Sequence, residues 1–297
     1  MAAGRSTLLP ATVRQALRRC RLLTNGASTH GGVGERRSRS KGEGLEFEDF
    51  RPYAFGDDMR RLDPHVYARL GQPVMRQYNV AERLAVTLLV DLTASMAFGS
   101  PAKADVGKAI VVGMALCALA NGDAVRCGAL GDAGLEWFPR LSGAGRLEEL
   151  EGWLASRPVG GGQDLGAAVT AARPMLPAGG LCVLVSDMWT EDLDAVLDVM
   201  AEAGQDLVLV RVLTPEELAP SARSTGPVRL TDSETGEEVE VELGPQAVAS
   251  YLEHLRSRTA SLRERVLAHR GRFVDVSTEV PISDVFERHM RAAQVVA

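Results

Sequence analysis

A chain of 297 residues, 45% hydrophobic and 24% charged, carries enough apolar matter for one large domain or a domain with an appendage, which excludes a disordered or fibrous polypeptide. The longest nearly unbroken apolar run, Ala109 to Ala120, is far short of the ~18 residues that a membrane-spanning helix requires. The net charge of −6 is unevenly divided: residues 1–80 hold 14 basic and 8 acidic side chains, hence +6, and the other 217 hold 19 and 31, hence −12. This division sets a boundary near residue 81 and argues against a uniformly basic nucleic-acid binder. Four cysteines form no C-x-x-C pair and three sit in apolar runs, as reduced thiols of a cytoplasmic protein do.

The start of the chain is rich in arginine and free of acids before Glu35, the composition of a transit peptide, whereas Arg14, Arg18, Arg19 and Arg21 interrupt any secretory apolar core. Residues 10–23 predict a short helix docked on its own protein, with Val13, Leu17 and Cys20 on one stripe and Arg14, Arg18 and Arg21 on the other. From Asn25 to Gly44 the Gly, Ser and Arg content predicts a loop or arm, so residues 1–41 form a basic helix and flexible arm. Glu46 to Tyr53 is expected to be extended, Gly56-Asp57-Asp58 to turn, and a second extended pair to flank Gly71. This segment, residues 42–80, has too few aliphatic side chains to fold alone and is expected to pack on the main domain.

Residues 81–297 alternate strand and helix. Leu84–Val90 is a continuous apolar run of strand length, as expected of a strand covered on both faces of a parallel sheet, and Leu181–Ser186 and Leu207–Leu213 are again buried-strand runs. Ser100-Pro101 predicts the cap and first position of a central helix reaching Ala120. Ala124–Leu130 and Leu135–Phe138 read as strands joined by a turn, followed by helices near 145–156 and 165–176. Leu193, Val196, Leu197 and Met200 form one helical stripe, with Thr190 as the expected cap. An insertion near 214–270 holds a hairpin, Val228–Leu243, with six acids, and a long helix from about Pro245 to Arg270. Arg272–Val276 and a helix from Ile282 complete a doubly wound, mainly parallel α/β fold.

Ligands of such sheets bind beyond the carboxyl ends of the strands, and three candidate positions fall there. Asp91 follows the first buried strand, with Thr93 and Ser95 at alternating positions of the same loop. Asp187 ends a later strand and is expected to be free for a site. Asp164 follows Gly160-Gly161-Gly162-Gln163 and is equally a ligand or an N-cap. A set of carboxylate, hydroxyl and amide oxygens suits Mg2+, and so little negative charge predicts weak binding until a partner's Asp or Glu joins the ion. His30, His65, His254, His269 and His289 lack zinc-site spacing.

At these residues the chain resembles the von Willebrand factor A-like fold, whose metal-ion-dependent adhesion site uses D-x-S-x-S after the first strand, a threonine in a middle loop and an aspartate after the fourth strand. Asp91, Thr93, Ser95 and Asp187 match, with Thr93 replacing the first serine and Gln163, beside Asp164, where the middle threonine is expected. Gly44-x-Glu46-Phe47, Arg51-x-Tyr53, Gly56-Asp57-Asp58-x-Arg60-x-Leu62-Asp63 and Ala68-Arg69 resemble the signature of bacterial domain-of-unknown-function family 58, with Pro64 where that family usually has tryptophan. The resemblance implies a partner of MoxR-type AAA+ ATPases in chaperone-like assembly or maturation of a client protein. Arg51, Asp57, Asp58, Arg60, Arg61, Asp63 and Arg69 form a mixed-sign cluster that reads as an ion-pair network fastening the segment to the sheet or as a docking surface.

Catalysis is the competing class. A strand ending in Asp91 is similar to aspartyl-phosphate phosphatases, yet Thr93 stands where their second carboxylate belongs, which argues against a magnesium-dependent hydrolase. Ser38-x-x-Lys41 and Ser100-x-x-Lys103 have no K-T-G after them, and G-x-x-x-x-G-K-[ST] is missing, so the expectation is a binding module and not an enzyme. The basic first 41 residues leave a third reading, a tether to nucleic acid or a membrane surface.

Overall fold

The structure, a computed structural model, describes residues 8–25, 46–55, 57, 59, 62–79, 83–162, 164–190, 192–220, 227–231, 238–242 and 244–297. It divides into two compact units, one of Gly26–Arg83 and one of Met1–Asn25 with Leu84–Ala297. Residues 8–25 belong with the larger unit.

Helix α1 (Ala11–Leu17) is shorter than the predicted 10–23. The residues after it run beside the chain's last residues instead: Arg21 and Ala297 exchange backbone hydrogen bonds of 3.1 and 3.0 Å, and Leu23 N donates to Val295 O at 2.9 Å. Val13, Leu17 and Cys20 are buried, as the stripe requires. On the other side Arg14 pairs with Glu151, which also accepts from Leu8 N at 2.6 Å.

In the smaller unit β1 (Glu46–Pro52) pairs antiparallel with β2 (Val74–Asn79), with a register shift between Phe47 and Asp49. A helix, α2 (Pro64–Leu70), precedes Gly71 where an extended pair was expected. The local chemistry explains it: the Asp63 carboxylate accepts from His65 N at 2.8 Å and Val66 N at 3.1 Å, Pro64 takes the first helical position, and Gly71 closes the helix at φ 67°. Asp63 is therefore a buried cap, and Asp57 closes a turn by accepting from Ala54 N at 2.8 Å. Arg69 is exposed on α2. Asp58, Arg60, Arg61 and the side chain of Arg51 lie outside the described residues.

The larger unit runs β3 (Ala85–Asp91), α3 (Lys103–Ala120), β4 (Ala124–Gly131), β5 (Gly134–Ser142), α4 (Leu147–Ser156), α5 (Leu165–Ala172), β6 (Leu181–Ser186), α6 (Leu193–Glu202), β7 (Asp206–Leu213), α7 (Pro215–Leu218), β8 (Pro227–Thr231), β9 (Glu238–Glu242), α8 (Pro245–Ala268), β10 (Arg272–Ser277) and α9 (Ile282–Asp284), with a π turn through Met290. β8 and β9 form the predicted antiparallel hairpin. The central six-stranded sheet has the order β10-β7-β6-β3-β4-β5, parallel except where β5 returns along β4.

Side chains alternate across the sheet, so Val86, Leu88 and Val90 of β3 pack with α1, α3, α4 and the π turn, while Leu89 packs with α5, α6 and α8. Both faces are covered at the centre of the sheet, which is why β3 and β6 read as nearly unbroken apolar runs. The expected cap at Ser100 is corrected: α3 starts at Lys103, because Phe98 O takes the Lys103 amide at 3.0 Å and residues 98–102 form their own turn. Likewise α6 starts at Leu193 with Asp192, not Thr190, as its cap residue, and Thr190 Oγ1 accepts from Asp192 N at 3.3 Å. Among the described residues no helix is long and apolar enough to cross a membrane.

Candidate functional site

From β3 the chain moves outward to β4 on one side and later to β6 on the other, so the strand order reverses at β3. A crevice opens at such a point beyond the carboxyl ends of the strands. A cleft of about 300 Å³ lies there, lined by Asp91, Thr93, Ser95, Asp164, Ser186 and Asp187 among others.

The loop after β3 is built around Asp91, only 4% exposed. Its Oδ1 accepts from Thr93 N at 2.9 Å and Thr93 Oγ1 at 2.7 Å, and its Oδ2 accepts from Ser186 Oγ at 2.7 Å. Ser95 Oγ lies 3.3 Å from Thr93 Oγ1. Neither hydroxyl caps a following helix: the 3-10 turn Ala94–Ala97 has no side-chain cap bond. Burial pushes the Asp91 carboxyl above its ordinary value, the three hydrogen bonds oppose that shift, and the charge of Asp187 adds to it.

The middle loop is pinned by backbone. Gly160 N donates to Leu92 O at 2.8 Å, and Ala94 N donates to Gly161 O at 2.9 Å. Gly161 stands at φ 82°, and a Cβ there would come within 2.6 Å of Asp132 Cα, so glycine alone fits. The same loop brings Asp164 to the cleft, but as a cap of α5: Gly166 N donates to it at 2.9 Å and Ala167 N at 3.3 Å. Gln163 lies outside the described residues.

Asp187, expected to be free, is not. It is 3% exposed, and its Oδ2 accepts from Lys103 Nζ at 2.8 Å while its Oδ1 accepts from Trp189 N at 3.2 Å. Lys103, 1% exposed, donates equally to Glu217 Oε1 at 2.8 Å. Sequence reasoning weighed Lys103 only as a nucleophile partner; its ion pair spans 84 positions and leaves no local signal. Arg258 of α8 was also missed. It donates to Met188 O at 3.0 Å and Thr190 O at 2.6 Å and lies 5.1 Å from the centre of the Trp189 ring, bracing the loop that carries Asp187. Nothing marks this arginine among the charged positions of a long polar helix.

Among the described residues no three Asp, Glu, His or Cys side chains converge as a metal cluster. Any cation here relies on neutral hydroxyls, and the donor chemistry fits a hard one. Thr93 spends its proton on Asp91, which leaves its oxygen lone pairs, those of Ser95 and the Asp91 carboxylate as oxygen ligands of the class magnesium takes. Asp164 caps α5 and Asp187 pairs with the Lys103 ammonium, so Asp91, Thr93 and Ser95 could form the core of such a set.

Across known proteins, the model of the family described as "Protein of unknown function DUF58" matches residues 49–261. The chain is 29% identical over 214 residues to an uncharacterized protein of Mycobacterium bovis, and by the same figures to uncharacterized proteins of Mycobacterium tuberculosis. The match covers 69% of this chain and 65% of each relative, so the chain spans under two thirds of their length. Among solved structures it is similar to the conserved hypothetical protein BatB from Bacteroides thetaiotaomicron, with a TM-score of 0.43 and 14% identity over 71% of this chain and 98% of that one. A pilus adhesin, SpaC from Lactobacillus rhamnosus GG, gives 0.44 and 11% over 74% and 32%. With the family model running from β1 into α8, the chain belongs to the DUF58 family of proteins of unknown function.

Proposed function

We propose that this chain is a protein-interaction module of von Willebrand factor A-like type, acting in the cytoplasm as partner or adaptor of a MoxR-type AAA+ ATPase in chaperone-like assembly or maturation of a client. The observation that carries the reading is the convergence of Asp91, Thr93, Ser95 and Asp187 on one cleft at the strand reversal. Asp91 is the anchoring carboxylate, and Thr93 and Ser95 offer hydroxyl oxygens to a magnesium ion. The ion would supply a positive centre that an acidic side chain of the partner can approach.

In this reading the free protein holds magnesium weakly, and metal and partner bind cooperatively. Affinity capture from the native cell extract tests the partnership; recovery of no AAA+ protein, together with phosphatase or protease turnover by the pure chain, transfers the assignment to a magnesium-dependent hydrolase. Calorimetric titration of magnesium with and without the captured partner tests the bridge. Asp91→Ala should weaken both interactions in a folded protein, and equal magnesium affinity with and without partner removes the bridging step.

A further inference from the structure

Lys103 is one of three lysines in the chain and stands in the first turn of α3, where the helix dipole opposes a cation and burial opposes a charge. Two carboxylates that lie beyond different strands hold it there. Asp187 follows β6, and Glu217 lies in α7, beyond β7; each accepts from Nζ at 2.8 Å. Glu217 is itself fixed by a capping box, its Oε2 accepting from Thr214 N at 2.7 Å while its own amide donates to Thr214 Oγ1 at 3.2 Å. Gly99 supports that arrangement, since a Cβ there would come within 2.6 Å of Thr214 Cγ2.

The two carboxylates differ in one respect. Asp187 lines the cleft beside Asp91, Thr93 and Ser95, and Glu217 does not. A cation drawn to Asp187 therefore meets the like charge of Lys103 on the same carboxylate, and the ammonium keeps a second acceptor if Asp187 turns away. We propose that Lys103 is an internal competitor for Asp187: paired with it, the lysine holds the cleft in a low-affinity state, and resting on Glu217 alone it frees Asp187 as a further oxygen ligand. This inference rests on the cation-binding reading of the cleft and assigns it a regulating residue. Lys103 is a positioning residue, and Glu217 sets the balance between its two pairings.

The two residues should act with opposite signs. Titration of the full chain with Mn2+ alone, followed by calorimetry and by the paramagnetic signal of free Mn2+, compares wild type, Lys103→Met and Glu217→Gln. Loss of the ammonium should tighten binding roughly tenfold or more, and loss of the Glu217 charge, which leaves Asp187 as the sole ionised partner of Lys103, should weaken it several-fold. General loosening of the site would move both in the same direction. If Lys103→Met does not fold, the Glu217→Gln arm decides alone, because it preserves the Lys103–Asp187 pair. Mn2+ binding by wild type with no tightening in a folded Lys103→Met chain, or with none of the expected weakening in Glu217→Gln, overturns the competition and leaves the cation site standing. No binding by any of the three chains overturns both.

Discussion

Ser186 Oγ donates to Asp91 Oδ2 at 2.7 Å, and this bond ties the carboxyl ends of the neighbouring strands β6 and β3 together at the cleft. The same Ser186 oxygen accepts from Met188 N at 3.0 Å, so the two loops that carry the site share one hydroxyl. Asp91 thus accepts three hydrogen bonds from neutral donors.

The direction of the Asp91 shift gives a pH prediction. Its folded pKa lies above the unfolded value because burial penalises the ion. Between the two values the folded state binds the extra proton, so stability falls as pH rises from the ordinary carboxylate range through the raised value, and stays reduced above it. Asp91→Asn removes the charge and keeps an oxygen for the Thr93 donors. In chelator at pH 7 the variant should melt above wild type, and the difference should close as pH falls below the ordinary aspartate value of about 4. Thermal melts across pH settle the sign; a variant melting below wild type at pH 7 would mean that the ionised carboxylate stabilises the fold.

The second prediction concerns packing of α3. Gly113 has a helical backbone, where alanine ordinarily stabilises by about 0.5–1 kcal/mol. A Cβ there would collide with the ring of Phe286 and stand 3.1 Å from Leu17 Cδ1. Gly113→Ala should therefore destabilise, by about 1–3 kcal/mol as overpacked cores do. Combining it with Phe286→Leu should recover part of that loss. Urea denaturation of the four chains in the cycle measures the coupling, and additive effects would show that the ring is not the obstacle.

Some of this was legible because the signal is local. β3 and β6 are largely apolar on both faces, so each shows as a nearly continuous run, and Asp91 and Asp187 are conspicuous as the first charges at their ends. Asp63-Pro64 and Gly71 carry the cap, first-turn and stop signals of α2, but the aromatic and charged residues around them read as extended chain. Ser100-Pro101 has the form of a helix start, yet the backbone there is committed to a turn closed by Phe98 O. The charge state of the site was not legible at all. Lys103, Asp187 and Glu217 meet only through tertiary folding, and no periodicity or spacing records a contact between loops that follow different strands.

A third prediction follows from the thiols. Cys117, Cys127 and Cys182 are fully buried, and burial pushes Cys117 and Cys182 up to about 12 and Cys127 higher still. A thiol of pKa 12 is about one part in ten thousand thiolate at pH 8, and only the thiolate attacks a disulfide reagent. Cys20 is also buried, its Sγ 3.6 Å from Ala16 O. The folded chain should leave all four unlabelled over minutes by an aromatic disulfide reagent, and denaturant should release four equivalents. Rapid labelling of one thiol under native conditions would locate a local opening, and peptide mapping would name it.

The last prediction separates cap from ligand at Asp164. Both of its oxygens accept from the first turn of α5, Gly166 N at 2.9 Å and Ala167 N at 3.3 Å, and nothing in that geometry needs a cation. Asparagine retains an oxygen for one of these donors, whereas alanine retains none. Asp164→Ala should cost about 1 kcal/mol, the usual loss of an N-cap, and Asp164→Asn only a few tenths. Their effects on the cleft should be alike, because each removes one negative charge near its rim and neither removes a ligand. Mn2+ affinity should then fall only a few-fold in both, and less at high ionic strength, where screening weakens a remote charge. If Asp164→Asn abolishes Mn2+ binding while preserving stability, the carboxylate is a ligand that leaves its cap when the ion arrives, and the core of the set grows from Asp91, Thr93 and Ser95 to include it.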